Sequence, residues 1–315
     1  MGGGGSYYDR DVDNTASRGT RGFTDAALDA TSKKNQAKET KAKDRSMEVD
    51  AETFLVTEFD VSGSMGDTPR AFWDKAPMIA GQIVMNGYLK DPMVSITAVG
   101  DVDYDRTPLQ IGEPSALRAV DKQLSDLVIE GGGGGGYDPC RESYEFPAWF
   151  YANRCAMAKV KYPMYIIVGD ERFRETLSAE QLQQWFGGKC VEGGTVSSAT
   201  VFEQLKKKFK GNVFLIFPTY TKCYGQLMED EAIALWEKVL GKGRVLRLGE
   251  KLAIADVMLG IIALASGKRT LDGYIEDIRS RPLEMEGKKY EPQSEERIAE
   301  VRAALEPLAS ELKRA

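Results

Sequence analysis

Residues Phe54 to Gly66 read FLVTEFDVSGSMG, an apolar run that stops at an aspartate followed by two serines. Phe54, Leu55 and Val56, then Phe59, form the β-branched and aromatic run expected of a buried strand, and Gly63 and Gly66 break it. The polar groups therefore fall at the strand's end. Asp60, Ser62 and Ser64 are spaced Asp-x-Ser-x-Ser, so a tight loop can turn one carboxylate and two hydroxyls toward a common centre. Hard oxygen donors of this kind suit Mg²⁺ first, then Mn²⁺ or Ca²⁺. Ser64 or Asp67 also suits the N-cap of a helix starting near Pro69, and the two uses are compatible.

At these residues the sequence resembles a von Willebrand factor A (vWA) domain, whose metal-ion-dependent adhesion site (MIDAS) opens with Asp-x-Ser-Gly-Ser. The resemblance implies an α/β fold, a doubly wound and mostly parallel Rossmann-like sheet flanked by helices, and in element order it spans Glu52 to Ser266. Such domains hold a divalent ion in strand-end loops and leave one coordination position open. A Glu or Asp of a partner protein fills it. Related microbial vWA proteins resemble adaptors of AAA+ ATPases, which makes an AAA+ system an implied partner.

The resemblance places a second metal loop where this chain has a hexaglycine run, Gly131 to Gly136, followed by Tyr137, Asp138 and Pro139. The family's Gly-Gly-Thr is missing, because no threonine occurs between Thr107 and Thr176, so Asp138, Glu142 or Ser143 must substitute. The third loop falls after the apolar strand YPMYIIV, at Gly169-Asp170-Glu171, and makes Asp170 the second key acid. In a doubly wound sheet, ligands collect at the carboxyl ends of parallel strands, so Asp60 and Asp170 can meet although distant in sequence. Thr195 lies in a Gly-Gly-Thr that comes after the Asp170 strand, out of order, and reads as a turn before a helix. The glycine run lacks the Lys-Ser or Lys-Thr ending of a phosphate-binding P-loop.

Outward from this centre the chain alternates. TPRAFWDKAPMIAGQIVMNGYLK reads as a helix with Phe72, Ala76, Ile79, Ile83 and Val84 at packing positions. MVSITAVGDV and TPLQIGE read as a hairpin, SALRAVDKQLSDLVI and CRESYEFPAWFYANRCAMAK as helices, GNVFLIFPTY and RVLRLGE as strands, and KLAIADVMLGIIALA as a closing helix. Residues 1–50 read as a polar arm, flexible or docked, with Tyr7, Tyr8 and Phe23 as isolated anchors; 51–266 form the vWA-like domain; 267–315 form a charged helical extension. Ile298, Val301, Leu305 and Leu308 make a stripe there at helical spacing, suited to packing on the parent domain or to forming an oligomer.

Composition excludes several chemistries. The 315-residue chain contains no histidine, which removes Ser-His-Asp and Cys-His catalysis and histidine-ligated zinc. Its net charge is −6 with both signs dispersed, so no basic stripe suggests nucleic acid as a partner. The four cysteines, Cys140, Cys155, Cys190 and Cys223, form no Cys-x-x-Cys pair, which fits reduced thiols and a cytoplasmic setting. No apolar leader is visible, and Leu252 to Ala265 is short and interrupted by Asp256, as in a core helix. Met1-Gly2-Gly3-Gly4-Gly5-Ser6 fits the N-myristoylation pattern at Gly2, the one membrane cue, and also fits a plain glycine leader.

These readings converge on a metal-ion-dependent protein-interaction module rather than an enzyme. The alternative is a structural subunit that assembles through its arm and C-terminal helices. A metal-dependent hydrolase is disfavoured, because phosphatases that place an aspartate at a strand end need a second aspartate two residues on, where this chain has Ser62.

Overall fold

The computed structural model describes residues 42–73, 75–105, 107–129, 141–188, 190–219, 226–281, 284–285, 288–289 and 292–313. The opening run becomes β1 (Thr53–Asp60), buried at every position. Its alternation splits it between two cores, with Phe54 and Val56 in one and Leu55 and Phe59 in the other. A strand apolar on both sides belongs inside a parallel sheet covered by helices.

That sheet has seven strands. Besides β1 it contains β2 (Met93–Val99), β3 (Leu109–Ile111), β4 (Ser115–Ala116), β5 (Tyr162–Val168), β6 (Val213–Pro218) and β7 (Val245–Leu248). Their order is β7-β6-β5-β1-β2-β3, with β4 also paired to β2. The five strands β7, β6, β5, β1 and β2 are parallel, whereas β3 and β4 run antiparallel to β2. The expected doubly wound α/β sheet and its hairpin are both present. The chain starts centrally at β1, winds to β2 on one side, and returns to β5 on the other, so the switch point lies between β1 and β5. Phe59 pairs with Val168, which sets the two following loops side by side.

Ten helices are used below: α1 (Thr68–Trp73), α2 (Ala76–Met85), α3 (Val120–Ser125), α4 (Glu145–Asn153), α5 (Ala179–Phe186), α6 (Ser198–Lys208), α7 (Gln226–Leu240), α8 (Ile254–Ala265), α9 (Leu271–Arg279) and α10 (Glu295–Leu312). Helices α1, α2, α3, α8, α9 and α10 contribute to the core with Leu55 and Phe59, and α4, α5, α6 and α7 to the core with Phe54 and Val56. Good caps start several of them. Ser178 and Gln181 form a reciprocal capping box on α5, and Ser197, Thr270 and Ser294 cap α6, α9 and α10.

Three expectations change. The helix expected across TPRAFWDKAPMIAGQIVMNGYLK is two, α1 and α2, because a proline in the first turn of α2 has no N–H to continue a preceding helix. On α2, Val84 is exposed and does not pack. The amphipathic helix expected across residues 115–129 shrinks to α3. Gln123 of α3 accepts from Ile96 N–H and donates to Val94 C=O, both at 2.8 Å, so its amide fills the gap on β2 between β3 and β4. The third concerns CRESYEFPAWFYANRCAMAK, which is helical only through α4 before Cys155–Ala156 turns into a short strand.

That short strand receives the end of the arm. Met47–Glu48 pairs with it in parallel, and Ala42, Met47 and Val49 are buried, so residues 42–50 are docked. Tyr7, Tyr8 and Phe23 lie outside the described residues. At the other end, Ile298, Val301, Leu305 and Leu308 are buried in the same core as α8. A Cβ on Gly260 of α8 would collide with Leu305, so the α8–α10 crossing requires glycine there. Asp256, inside the apolar α8, is matched by Arg281 at 2.6 Å, both side chains buried. Among the described residues no helix is long and apolar enough to cross a membrane. Cys155 and Cys190 are free thiols, and Cys140 and Cys223 fall outside the described residues.

Candidate functional site at the ends of β1 and β5

The loop after β1 folds back on its own aspartate. Asp60 Oδ1 accepts from Ser62 N–H at 2.8 Å, an Asx-type turn that brings the serine hydroxyls round to the same side. Ser62 Oγ and Ser64 Oγ are 2.9 Å apart, and Ser64 Oγ donates to Asp170 Oδ1 at 3.0 Å. Asp60, Ser62, Ser64 and Asp170 are thus brought together, although 106 positions separate Ser64 from Asp170. Asp67, ahead of α1, pairs with Lys251 at 2.6 Å.

The substitute for the missing threonine resolves in part. Ser143 is turned away, its Oγ accepting from Val102 N–H at 3.0 Å. Asp138 lies outside the described residues. Glu142 is buried, and its Oε2 has no hydrogen-bond partner. Residues Arg141–Glu142 pair in parallel with Arg172–Phe173, which ties the second loop to the segment after β5.

Four further groups complete the site and were not singled out from sequence as members of it. Tyr144, fully buried, donates its hydroxyl to Asp60 Oδ2 at 2.5 Å. Its ring sits where a Cβ on Gly169 would be, so Gly169 allows the tyrosine to reach the aspartate. Glu171 is buried beside Asp170. Asp101 and Asp105, in the turn after β2, hold one another through Asp101 N–H to Asp105 Oδ2 at 2.7 Å. Arg174 at this rim is committed, meeting Asp101 and Asp103 at 2.5 Å each. The Asp-Val-Asp-Tyr-Asp spacing at 101–105 could have drawn attention to this turn; Tyr144 carries no such signal.

The electrostatics are those of a crowded, dehydrated acidic centre. Burial, then the charge of Asp170, pushes Asp60 up to about 7 despite hydrogen bonds from Ser62 and Tyr144. Burial, then Asp60 and Glu171, pushes Glu142 up to about 11. Burial, then Asp60 and Asp170, pushes Glu171 up to about 8. Each acid disfavours the ionisation of the next. Among the described residues no three Asp, Glu or Cys side chains close on one point as a carboxylate cage. The donors that the hydrogen bonds bring together are instead mixed, the Ser62 and Ser64 hydroxyls with the carboxylates of Asp60 and Asp170. This set fits a hard divalent cation that retains water, in the manner of Mg²⁺.

No protein-family model matches the sequence, and no curated protein matches it. Solved structures of similar fold include the pilus adhesin SpaC from Lactobacillus rhamnosus GG, at 12% identity and a TM-score of 0.44, over 70% of this chain and 32% of that one. Proximal thread matrix protein 1 from the mussel byssus matches at 11% identity and a TM-score of 0.40, over 69% and 49%. A von Willebrand factor type A protein from Catenulispora acidiphila matches at 15% identity and a TM-score of 0.35, over 69% and 43%. The matched region thus spans less than half of each of these chains, 32% to 49%. The α/β assignment rests on the strand order itself, a mostly parallel sheet with the acidic loops at its switch point.

Proposed function

We propose that this protein is a protein-interaction module that works through a divalent cation, Mg²⁺ foremost, held at the ends of β1 and β5. Ser62 and Ser64 would hold the ion with Asp60 and Asp170, its charge offsetting the nearby Glu142, and when bound it would offer a Lewis-acidic position to a Glu or Asp of a partner protein. The observation that carries this reading is the unpartnered, buried Oε2 of Glu142 beside the linked Asp60, Ser62, Ser64 and Asp170. A buried carboxylate oxygen without a donor is costly, and a cation is the species that offsets several such groups at once. The chain's net charge of −6 disfavours an acidic partner at long range, so attraction must be local to the ion.

Binding rather than turnover fits the hydroxyls. Ser62 and Ser64 are bonded to each other and to Asp170, an arrangement that presents oxygen lone pairs to a cation. Thermal unfolding tests the reading. In chelator, then with Mg²⁺, Mn²⁺ or Ca²⁺ added, the wild type should gain several degrees in midpoint, and Asp60→Ala should gain none, because only a native site binds the ion. Partner capture should then require both the metal and Asp60. Equal response of wild type and Asp60→Ala, or none in either, overturns the proposal.

A further inference from the structure

The two edges of the sheet are finished differently. Along β3, Arg45 Nη1 donates to Ile111 C=O at 2.5 Å, and the Gln123 amide fills the gap on β2. The opposite edge is β7, which among the described strands pairs with β6 alone. Leu248 C=O accepts from Thr219 N–H at 2.9 Å just beyond β6, so the backbone groups of Leu246 and Leu248 face β6. In a parallel ladder those of Val245, Arg247 and Gly249 then face outward. Gly249 N–H is met there by Glu300 Oε1 of α10 at 2.7 Å, a carboxylate where a further strand would place a carbonyl. Among the described residues nothing meets the outward N–H and C=O of Arg247.

A cleft of about 610 Å³ opens along this edge between α7 and α10. Its walls differ. Val245 belongs to the core under α7, and Leu246 and Leu248 to the core under α10, so the Arg247 side chain stands on the α7 side. It lies 3.6 Å from Asp230 of that helix. The α7 wall carries Glu229 and Glu237, whereas the α10 wall is small and apolar at Ala303, Ala304 and Pro307, with Glu300 at its end. Against these three glutamates stand Lys242 and Arg247, and Arg247 is already matched by Asp230. The cleft is therefore acidic as well as open to main-chain pairing.

Residues directly opposite across a strand pair share a face, and their neighbours take the other. A residue paired with Arg247 sends its side chain toward Glu229 and Glu237, and the residues on either side of it face Ala303, Ala304 and Pro307. We propose that β7 accepts an extended segment of a partner protein as an added strand, and that this segment carries a lysine or arginine between two apolar residues. Main-chain bonds to Arg247 attach the segment, and the two walls select its side chains. This surface is separated from β1 by β6 and β5 and does not depend on the metal site.

Short labelled peptides of alternating valine and lysine test the proposal by fluorescence anisotropy, in chelator so that the strand-end site plays no part. A valine–glutamate peptide is the control, and the wild type should bind it roughly tenfold more weakly. Arg247→Pro removes the outward N–H and leaves the bonds to β6 intact, the one setting in which a sheet tolerates proline, and should weaken the valine–lysine peptide about tenfold. Arg247→Ala keeps that N–H and should bind at least as well as the wild type. Glu237→Lys should invert the preference between the two peptides, which covers the case in which proline disturbs the edge. No binding by the wild type, equal binding of both peptides, or equal affinity in wild type, Arg247→Pro and Glu237→Lys overturns the proposal. A wild-type dimer in sedimentation that Arg247→Pro dissociates makes this edge a self-pairing surface and overturns it as well.

Discussion

The two faces of the sheet treat buried charge in opposite ways. On the face covered by α1, α2, α8, α9 and α10 the core is mostly aliphatic, and Asp256 is matched by Arg281 at 2.6 Å. On the face covered by α4, α6 and α7 the core is rich in aromatics, and the buried Glu58, Glu142 and Glu145 have no ion pair among the described residues such as Asp256 has. Consecutive residues of β1 divide between the two, Phe59 to the first core and Val56 to the second, with Glu58 and Asp60 in register with Val56. A lone buried charge is strongly destabilising, so a fold selected for stability alone would not keep unpaired acids inside. On the second face Glu58 accepts from Tyr165 and Glu145 from the Arg174 N–H, while Asp60 and Asp170 lie where β1 and β5 end, which is where a ligand can reach them.

Breaking the matched pair should have the largest effect. Arg281→Met leaves Asp256 as a lone buried charge and should cost about 3–5 kcal/mol, read as a large drop in the denaturation midpoint. The unmatched face should respond to pH in the chelated protein. Asp60 rises from 3.8 to about 7 and Glu171 from 4.5 to about 8, so the native state binds more protons than the unfolded chain between these limits. Stability is therefore greatest below about pH 4 to 5 as far as these groups are concerned, and is lost as pH rises toward 8. Added Mg²⁺ should flatten or reverse that slope, because the ion replaces the protons; a chelated protein whose midpoint rises steadily from pH 5 to 8 would contradict the assignment.

Removing one unmatched acid should have the opposite sign to Arg281→Met. Glu142→Gln in chelator should stabilise by roughly 1–3 kcal/mol at neutral pH, since glutamine needs no proton to be buried. The same variant should lose most of the Mg²⁺-induced shift, and urea midpoints with and without metal separate the two effects. Tyr144→Phe sharpens the point at the scale of one hydrogen bond. It should cost about 1 kcal/mol and weaken Mg²⁺ binding by freeing Asp60. At the exposed end of the comparison, Val84→Ser on α2 should change stability by less than about 0.5 kcal/mol, because Val84 is 69% exposed.

Much of this was legible along the chain. Strand β1, its terminal Asp-x-Ser-x-Ser and the apolar run of β5 are local patterns, and period-2 burial with a glycine break says where each strand stops. The stripe Ile298, Val301, Leu305 and Leu308 likewise announced a packed helix, and it packs on α8. Helix lengths were less legible. The division into α1 and α2 depends on one proline, and α3 is short because Gln123 mends the edge of β2 rather than extending a helical face. Of the site, Asp60, Ser62, Ser64, Asp170 and Glu142 stood out by position or by family pattern. Tyr144 did not, because the aromatic just before EFPAWFYAN looks like any other core residue until its hydroxyl is seen on Asp60.

By itself, the sequence determined that a central buried strand ends in hard oxygen donors, that histidine chemistry is absent, and that strands and helices alternate. These follow from residue type and short-range periodicity, which act over a few residues. Only the tertiary structure decided that Ser64 meets Asp170, that Ser143 turns away to Val102, that Trp236 braces Glu171, and that the acids of one face go unmatched while Asp256 finds Arg281. Those outcomes depend on which strand lies beside which and on how far each side chain is removed from water, and neither quantity exists until the sheet has closed around its switch point.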